Sequence, residues 1–196
     1  MRELRAARVR VPCSTSNLGA GYDTIGLALD RFLDVSFEPD DSGGISVTRS
    51  GTLRKLEEDS EPDIVAELLT KQLRKAGREP SGNLTLHSDI PVARGLGASA
   101  AARVAGFDLA LAVQGLPSDE EAAFACALRA EGHGDNAAPS VFGGLRAVAT
   151  APDGPVVMGL SLSPEVGFAY AAPATGVSTD EARTLLPKQV PHEVAA

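Results

Sequence analysis

The chain has 196 residues, a length that favours one domain or one and a half. Lysine and arginine number 18 against 26 aspartates and glutamates, for a net charge of −8. That balance argues against a surface built to hold a nucleic-acid backbone. It leaves phosphate ligands open, because backbone N–H groups bind those. Apolar residues are 43% and charged residues 22%, which excludes whole-chain disorder and promises a real core.

Aromatics are only 4%, with no Trp, so the core falls to Ala, Val, Leu and Ile, and base-stacking platforms have little material. Cys13 and Cys126 are too far apart for a disulfide framework or a zinc-ligand pattern, and point to a reducing cytoplasm. The first eight residues lack the apolar segment of a signal peptide, and no apolar run reaches the ~18 residues of a membrane span. A cytoplasmic chain with neither membrane nor nucleic-acid partner is the expectation.

In chain order, the alternation at 7–11 predicts a strand that stops at Pro12, followed by a polar, Gly-bearing loop to Asp23. Apolar residues resume at 24–29, with short strands at 35–38 and 44–48 and a turn at 40–44. A helix is predicted over 61–76, capped by Ser60, with Val65, Leu69, Leu73 and Ala76 as its apolar stripe. A strand at 84–87 precedes a long Ala-rich helix over 98–114 that ends before Gly115. Ser118 and Glu121 form a capping box for a second helix to about 130. Strands are predicted at 145–149, 156–160 and 166–172, and a short helical pattern at 179–186. The order reads as an α+β fold.

Three loops carry candidate chemistry. Pro91, Arg94, Gly95, Leu96, Gly97, Ala98 and Ser99 lie where a strand end passes through a Gly-rich turn into a helix. Such glycines let backbone approach a ligand, and the helix N-terminus adds partial positive charge. Ser99 can cap the helix or ligate a metal bound to phosphate. The stretch is neither a Walker A loop nor a dinucleotide fingerprint. Glu131, His133, Asp135 and Asn136 follow a helix within six positions. Glu131 offers hard oxygen to Mg²⁺, His133 can bind an anion or act as a base, and Asn136 both donates and accepts. Asn17 and Asp23 flank a Gly-bearing turn where they can grip a polar ligand, Asp23 through an ammonium group. The plain alternative for each loop is a polar turn that satisfies its own backbone.

Together and in this order, the three loops resemble the GHMP family of small-molecule kinases, and within it the homoserine kinases. Residues 12–27 look like the first family motif, 91–101 like its phosphate-binding second motif, and 131–139 with Phe142-Gly-Gly144 like a third block. Ser178–Arg183 is similar to a substrate-contacting segment. The resemblance implies a GHMP N-terminal ATP-binding domain (ribosomal S5 domain 2-like) over 1–150. From 151 to 196 it implies the start of an incomplete, ferredoxin-like α/β-sandwich domain. It implies ATP and Mg²⁺ as cofactors and phosphorylation of the L-homoserine hydroxyl, a step toward threonine. Residues 95–99 would wrap the phosphates, with Pro91 and Arg94 beside them. Ser99 and Glu131 match Mg²⁺ ligands. Asn17, Asp23, His133 and Arg183 match homoserine contacts, and Asn136 matches a residue near the transferred phosphate. No general base is implied. Two positions depart from the pattern: Ala98 replaces a Ser, and Asp63 stands where an adenine-side Asn is usual. The family's third Gly-rich motif has no counterpart before Ala196. A cleft lacking one wall is the expectation, with uncovered apolar sheet surface that favours a homodimer or aggregation.

Overall fold

The computed structural model describes residues 3–21, 23–56, 63–171, 184, 187 and 189–195. The fold is α+β, a single six-stranded sheet with helices packed on one face. The strands are β1 (Ala7–Thr15), β2 (Ile25–Pro39), β3 (Ile45–Gly51), β4 (Gly82–Ser88), β5 (Leu145–Ala151) and β6 (Gly154–Leu160). Among the described residues the helices are α1 (Ile64–Lys75), α2 (Ala98–Val113), α3 (Glu120–Glu131), α4 (Ala137–Phe142) and the short α5 (His192–Ala195).

β2 organises the sheet. β1 runs antiparallel along one of its edges, while β4 and β5 share the other, so the order is β3-β4-β2-β5-β6 with β1 beside β2. β3 and β4 are parallel neighbours, and α1 supplies the crossover that such a pair needs. The period-2 pattern decides which face the helices cover. Val35 stands between Val9 and Leu86, Phe37 opposite Leu84, and Leu33 opposite Val11. Val11, Leu33, Val35, Phe37, Leu84 and Leu86 are buried. The alternate residues carry charge on the other face, where Arg8 pairs with Asp34 at 3.0 Å.

α1 buries Val65, Leu69 and Leu73, as its spacing predicts, whereas Ala76 is exposed as the C-cap residue. α2 is buried from Ala100 to Val113 on several faces, because its alanines and Gly106 let α1 approach closely. A Cβ on Gly106 would lie 3.0 Å from Leu68 Cβ. Small side chains thus do the packing that aromatics would do elsewhere.

Several expectations change. β1 continues through Pro12 to Thr15, with a register shift between Pro12 and Cys13 that absorbs the missing N–H of proline. The stretches at 24–29 and 35–38 are one strand. The charged pair Asp30 and Arg31, which hides the continuity, sits exposed at that shift. Asp63 itself caps α1, accepting from Val65 N and Ala66 N, while Ser60 lies outside the described residues. Asp119, not Ser118, caps α3, accepting from Ala122 N. Residues 161–171 contain no strand, so the predicted strand over 166–172 is absent from its described part. Alternation there has no neighbouring strand to pair with, and Val166, Phe168 and Tyr170 are exposed. The predicted helix at 179–186 lies outside the described residues except for Thr184. α4 has Asn136 as its N-cap, a favoured cap residue, but no side-chain cap bond forms and no apolar period announces the helix.

One acid within α2 opposes folding. Asp108 has a buried Oδ1 with no hydrogen-bond partner. Burial first, then Glu120 and Asp119, pushes its pKa up to about 6. The folded state therefore favours the protonated acid. Its stabilisation is complete below the unfolded value near 4 and is lost as pH rises through 6. Asp108→Asn is expected to raise Tm by a few degrees at pH 7.5 and to leave it unchanged at pH 4, as read by thermal melts at both pH values.

Candidate active site

β4 ends at Ser88, and the chain then enters the Gly-rich loop. Ile90 is buried, its N–H donates to Ser88 Oγ at 3.0 Å, and its carbonyl accepts from Thr52 Oγ1 at 2.7 Å. Those bonds fix where the loop begins. The loop over 91–97 then needs left-handed backbone at Ala93, Gly95 and Gly97, with φ of 54°, 68° and 61°. Leu96 is buried and anchors it, and Ser14 N–H donates to Leu96 O at 3.4 Å. Gly97 is the N-cap of α2 and supplies no side-chain cap. The N–H groups of the first turn of α2 are thus left for a ligand, and an anion suits them by charge and geometry.

The other two loops close on this turn. A Cβ on Gly97 would stand 2.4 Å from Ser14 Oγ and 2.9 Å from Asn136 Oδ1. A Cβ on Gly95 would stand 2.4 Å from Asn17 Nδ2. Both glycines are required by close approach as well as by φ. Asn136 is held at both ends of its amide. Ser14 Oγ donates toward Asn136 O at 2.9 Å and lies 3.1 Å from Oδ1, and Asn136 Nδ2 donates to Ser16 Oγ at 3.0 Å. Ser140 Oγ donates to Ser14 Oγ at 3.2 Å from the first turns of α4.

Asp135 is 2% exposed and ties the third loop together. Its Oδ1 accepts Asn136 N–H at 2.8 Å and meets His133 Nδ1 at 2.5 Å. A carboxylate can only accept, so Nδ1 carries the proton and Nε2 is left for a ligand. Asp23, with φ of 55°, brings its carboxylate within 4.8 Å of the polar atoms of His133 and Asp135. The backbone of Asp135 presses on β2 at Gly26, where a Cβ would lie only 1.7 Å from Asp135 O.

Ser99 and Glu131 meet beside the first turn of α2. The Ser99 hydroxyl donates to Glu131 Oε1 at 2.6 Å, and Arg103 Nε reaches the same oxygen at 2.5 Å. A hydroxyl and a carboxylate are hard oxygen donors of the kind Mg²⁺ prefers, so the pair fits that ion. Asp63 is differently employed. Its Oδ1 caps α1, and its Oδ2 takes Arg49 Nε at 3.0 Å and Nη2 at 2.9 Å. Arg94 donates to Ala93 O at 3.1 Å within the loop. Arg183 lies outside the described residues. Cys13 precedes Ser14, and burial first, then Asp89, pushes its thiol up to about 11, which keeps it from acting as a nucleophile.

The three loops named from sequence therefore converge. Pro91 and Arg94 belong to the same loop, Gly95 lies against Asn17, Gly97 against Asn136, Ser99 against Glu131, and Asp23 near His133. Ser14, Ser16, Arg103 and Asp135 are the participants that sequence reasoning left without roles. Only Arg103 carried a usable signal, its spacing of four from Ser99 on one helix face.

Residues 63–144 match the family described as GHMP kinases N terminal domain. The homoserine kinase of Cutibacterium acnes is 40% identical over 192 residues, covering 94% of this chain and 64% of that protein. The homoserine kinase of Deinococcus radiodurans is 33% identical over 186 residues, covering 94% of this chain and 60% of that protein. The crystal structure of homoserine kinase from Cytophaga hutchinsonii matches with a TM-score of 0.78 at 27% identity, over 100% of this chain and 64% of that one. The chain thus spans less than two thirds of the length of these relatives.

The contact at Gly26 yields a stability test. Gly26→Ala is expected to cost more than about 3 kcal/mol, because a backbone carbonyl occupies the space of the new methyl group. Gly43→Ala meets nothing within 4 Å and bears only the strain of φ +85°, about 1 kcal/mol. Urea unfolding of both variants checks the order.

Proposed function

We propose that this chain, which carries the N-terminal domain of the GHMP kinases, binds ATP and L-homoserine and transfers the terminal phosphoryl group to the substrate hydroxyl. The observation that supports this most is the convergence of the three loops on Gly97 at the uncapped start of α2. Phosphoryl transfer needs positioning and charge neutralisation more than covalent help, and this site is built from both.

In this reading the loop of Gly95, Leu96, Gly97, Ala98 and Ser99 wraps the phosphates with backbone N–H groups. Magnesium bound with ATP neutralises phosphate charge, and Ser99 and Glu131 are the residues that would hold it. Asn136, locked by Ser14 and Ser16, lies against Gly97 and keeps the acceptor hydroxyl beside the phosphoryl group. Asp23 takes the substrate ammonium group. His133, oriented by Asp135, donates from a protonated Nε2 to the carboxylate in its imidazolium form, together with Arg183. Asn17 completes the pocket from the far side of Gly95. Pro91 and Arg94 shape the loop. Asp63 belongs to the adenine side through α1, where its cap and ion pair make it a support for the pocket wall. No residue is assigned as general base.

The domain limits in this reading are 1–150 for ATP binding and 151–196 for the start of a second domain, with the boundary in the β5–β6 hairpin. The exposed Val156 and Met158 of edge strand β6 are the apolar surface that a second copy would cover. Among the described residues no helix is long and apolar enough to cross a membrane, and a cytoplasmic, threonine-forming role accords with that.

ADP release from Mg-ATP is the direct test, with L-homoserine against mevalonate and galactose. Release that depends on homoserine is the expected result. Release with a control alcohol instead assigns a different small substrate. Nucleotide-dependent thermal stabilisation without any release makes the chain a non-catalytic nucleotide-binding unit. Asp23→Ala separates the two ligand sites: homoserine affinity is expected to fall at least about tenfold, with ATP affinity within about twofold of wild type, by calorimetry of each ligand. Equal loss of both would falsify the assignment of Asp23.

A further inference from the structure

Arg103 follows Ser99 by one turn of α2, so both side chains leave the helix on the same side. Both end on one atom. Glu131 Oε1 accepts the Ser99 hydroxyl at 2.6 Å and Arg103 Nε at 2.5 Å. The pair is sheltered, with the Glu131 side chain 16% exposed and that of Arg103 29%. A carboxylate held this far from water needs a compensating charge, and the guanidinium supplies it. A divalent cation shared between the hydroxyl and Oε1 would need the lone pair that Arg103 engages there. It would also bring two positive charges against a third, at short range and with little screening.

We infer that Arg103 is a built-in counterion that competes with the divalent cation for Glu131. In the nucleotide-free protein the guanidinium keeps Glu131 and Ser99 in register without metal. Loading the cation requires Arg103 to withdraw from Oε1. Room for that movement exists, because Arg103 also lines an open groove between α1 and α3, bounded by Gln72, Cys126 and Arg129. Lys71, Arg74, Lys75 and Arg129 border the same groove and outnumber its acids, Glu67 and the Arg49-paired Asp63, so net repulsion disfavours the withdrawn position. The bare cation is therefore held weakly, and a cation arriving with the triphosphate is favoured, since the phosphate charges then balance both it and the released guanidinium. This inference rests on Ser99 and Glu131 being the metal-holding pair.

The test is Mn²⁺ binding to the nucleotide-free chain, read from the electron paramagnetic resonance signal of free Mn²⁺, which requires no turnover. Arg103→Met keeps the apolar stem and removes the charge. It is expected to bind Mn²⁺ about tenfold or more tightly than wild type. Arg103→Gln is a second neutral variant should the first fold poorly, and circular dichroism establishes the fold of each. Arg103→Lys retains the charge and is expected to stay within about threefold of wild type. Unchanged or weaker Mn²⁺ affinity in the neutral variants overturns the inference. So does equal tightening in the lysine variant, which would trace the effect to packing. Glu131→Gln separates the two levels. If it loses Mn²⁺ binding while the Arg103 variants match wild type, the metal pair stands and the counterion role falls. If it binds Mn²⁺ as wild type does, the metal pair itself is wrong.

Discussion

Gly97 sits at φ +61° with Ser14 on one side and Asn136 on the other, so close that a Cβ would lie within 3.0 Å of atoms from both. Three segments far apart in sequence must reach this one point for the site to exist. β1 delivers Ser14 from its last turn of pairing with β2, the loop after β4 delivers Gly97, and the loop after α3 delivers Asn136. The absence of a side chain at Gly97 is what permits the approach. The hydrogen bonds of Ser14 and Ser16 to Asn136 then hold it. A second close approach repeats the device one layer lower, where Asp135 rests on Gly26 of β2. The sheet is thus a platform against which the three loops are pressed, and Gly26 marks where one of them presses.

That platform explains why so few aromatic residues suffice. The strands lock side-chain columns such as Val9, Val35 and Leu86 into register, and the alanine-rich α2 lies flat over them. Close helix contact, as at Gly106, fills the volume that large rings would otherwise fill. A helix packed this tightly is a rigid base for its own N-terminus. Its first-turn N–H groups are pre-aimed, which would spare reorganisation on binding the proposed anion.

Much of this was legible in sequence, for stateable reasons. A strand running through Gly-Leu-Gly into an alanine-rich helix has few structural readings, and the polar loops at 12–23 and 131–136 announced themselves by composition. The errors have a common cause. Each cap was placed by the nearest Ser pattern, whereas Asp63 and Asp119 took the positions, since an aspartate accepts from first-turn N–H groups and suits the helix dipole. Alternation suggests a strand at 166–172, but alternation is a property of the segment, whereas a strand is a property of a pair. Asp135 and Ser14 went unassigned because their roles are contacts over more than a hundred residues of sequence or under a neighbouring side chain. No local pattern encodes such contacts.

Charge unites the site with the composition of the whole chain. A protein at −8 has no excess of cations to spend on a polyphosphate. In the proposed reading, backbone amides at the start of α2 carry that work instead, since they offer directed partial charge at no cost to net charge. Three of the acidic groups near the loops show how such charge is contained. Asp135 is contained by His133 and a backbone N–H, Asp63 by Arg49 and the cap of α1, and Glu131 by Ser99 and Arg103. Of the three, only Glu131 shares its counter-charge with a hydroxyl of the first turn of α2. Among these three it is therefore the acid whose partner can be exchanged without unpicking a helix cap or a buried backbone contact. Exchangeability of that kind is what separates a ligand-binding carboxylate from a structural one.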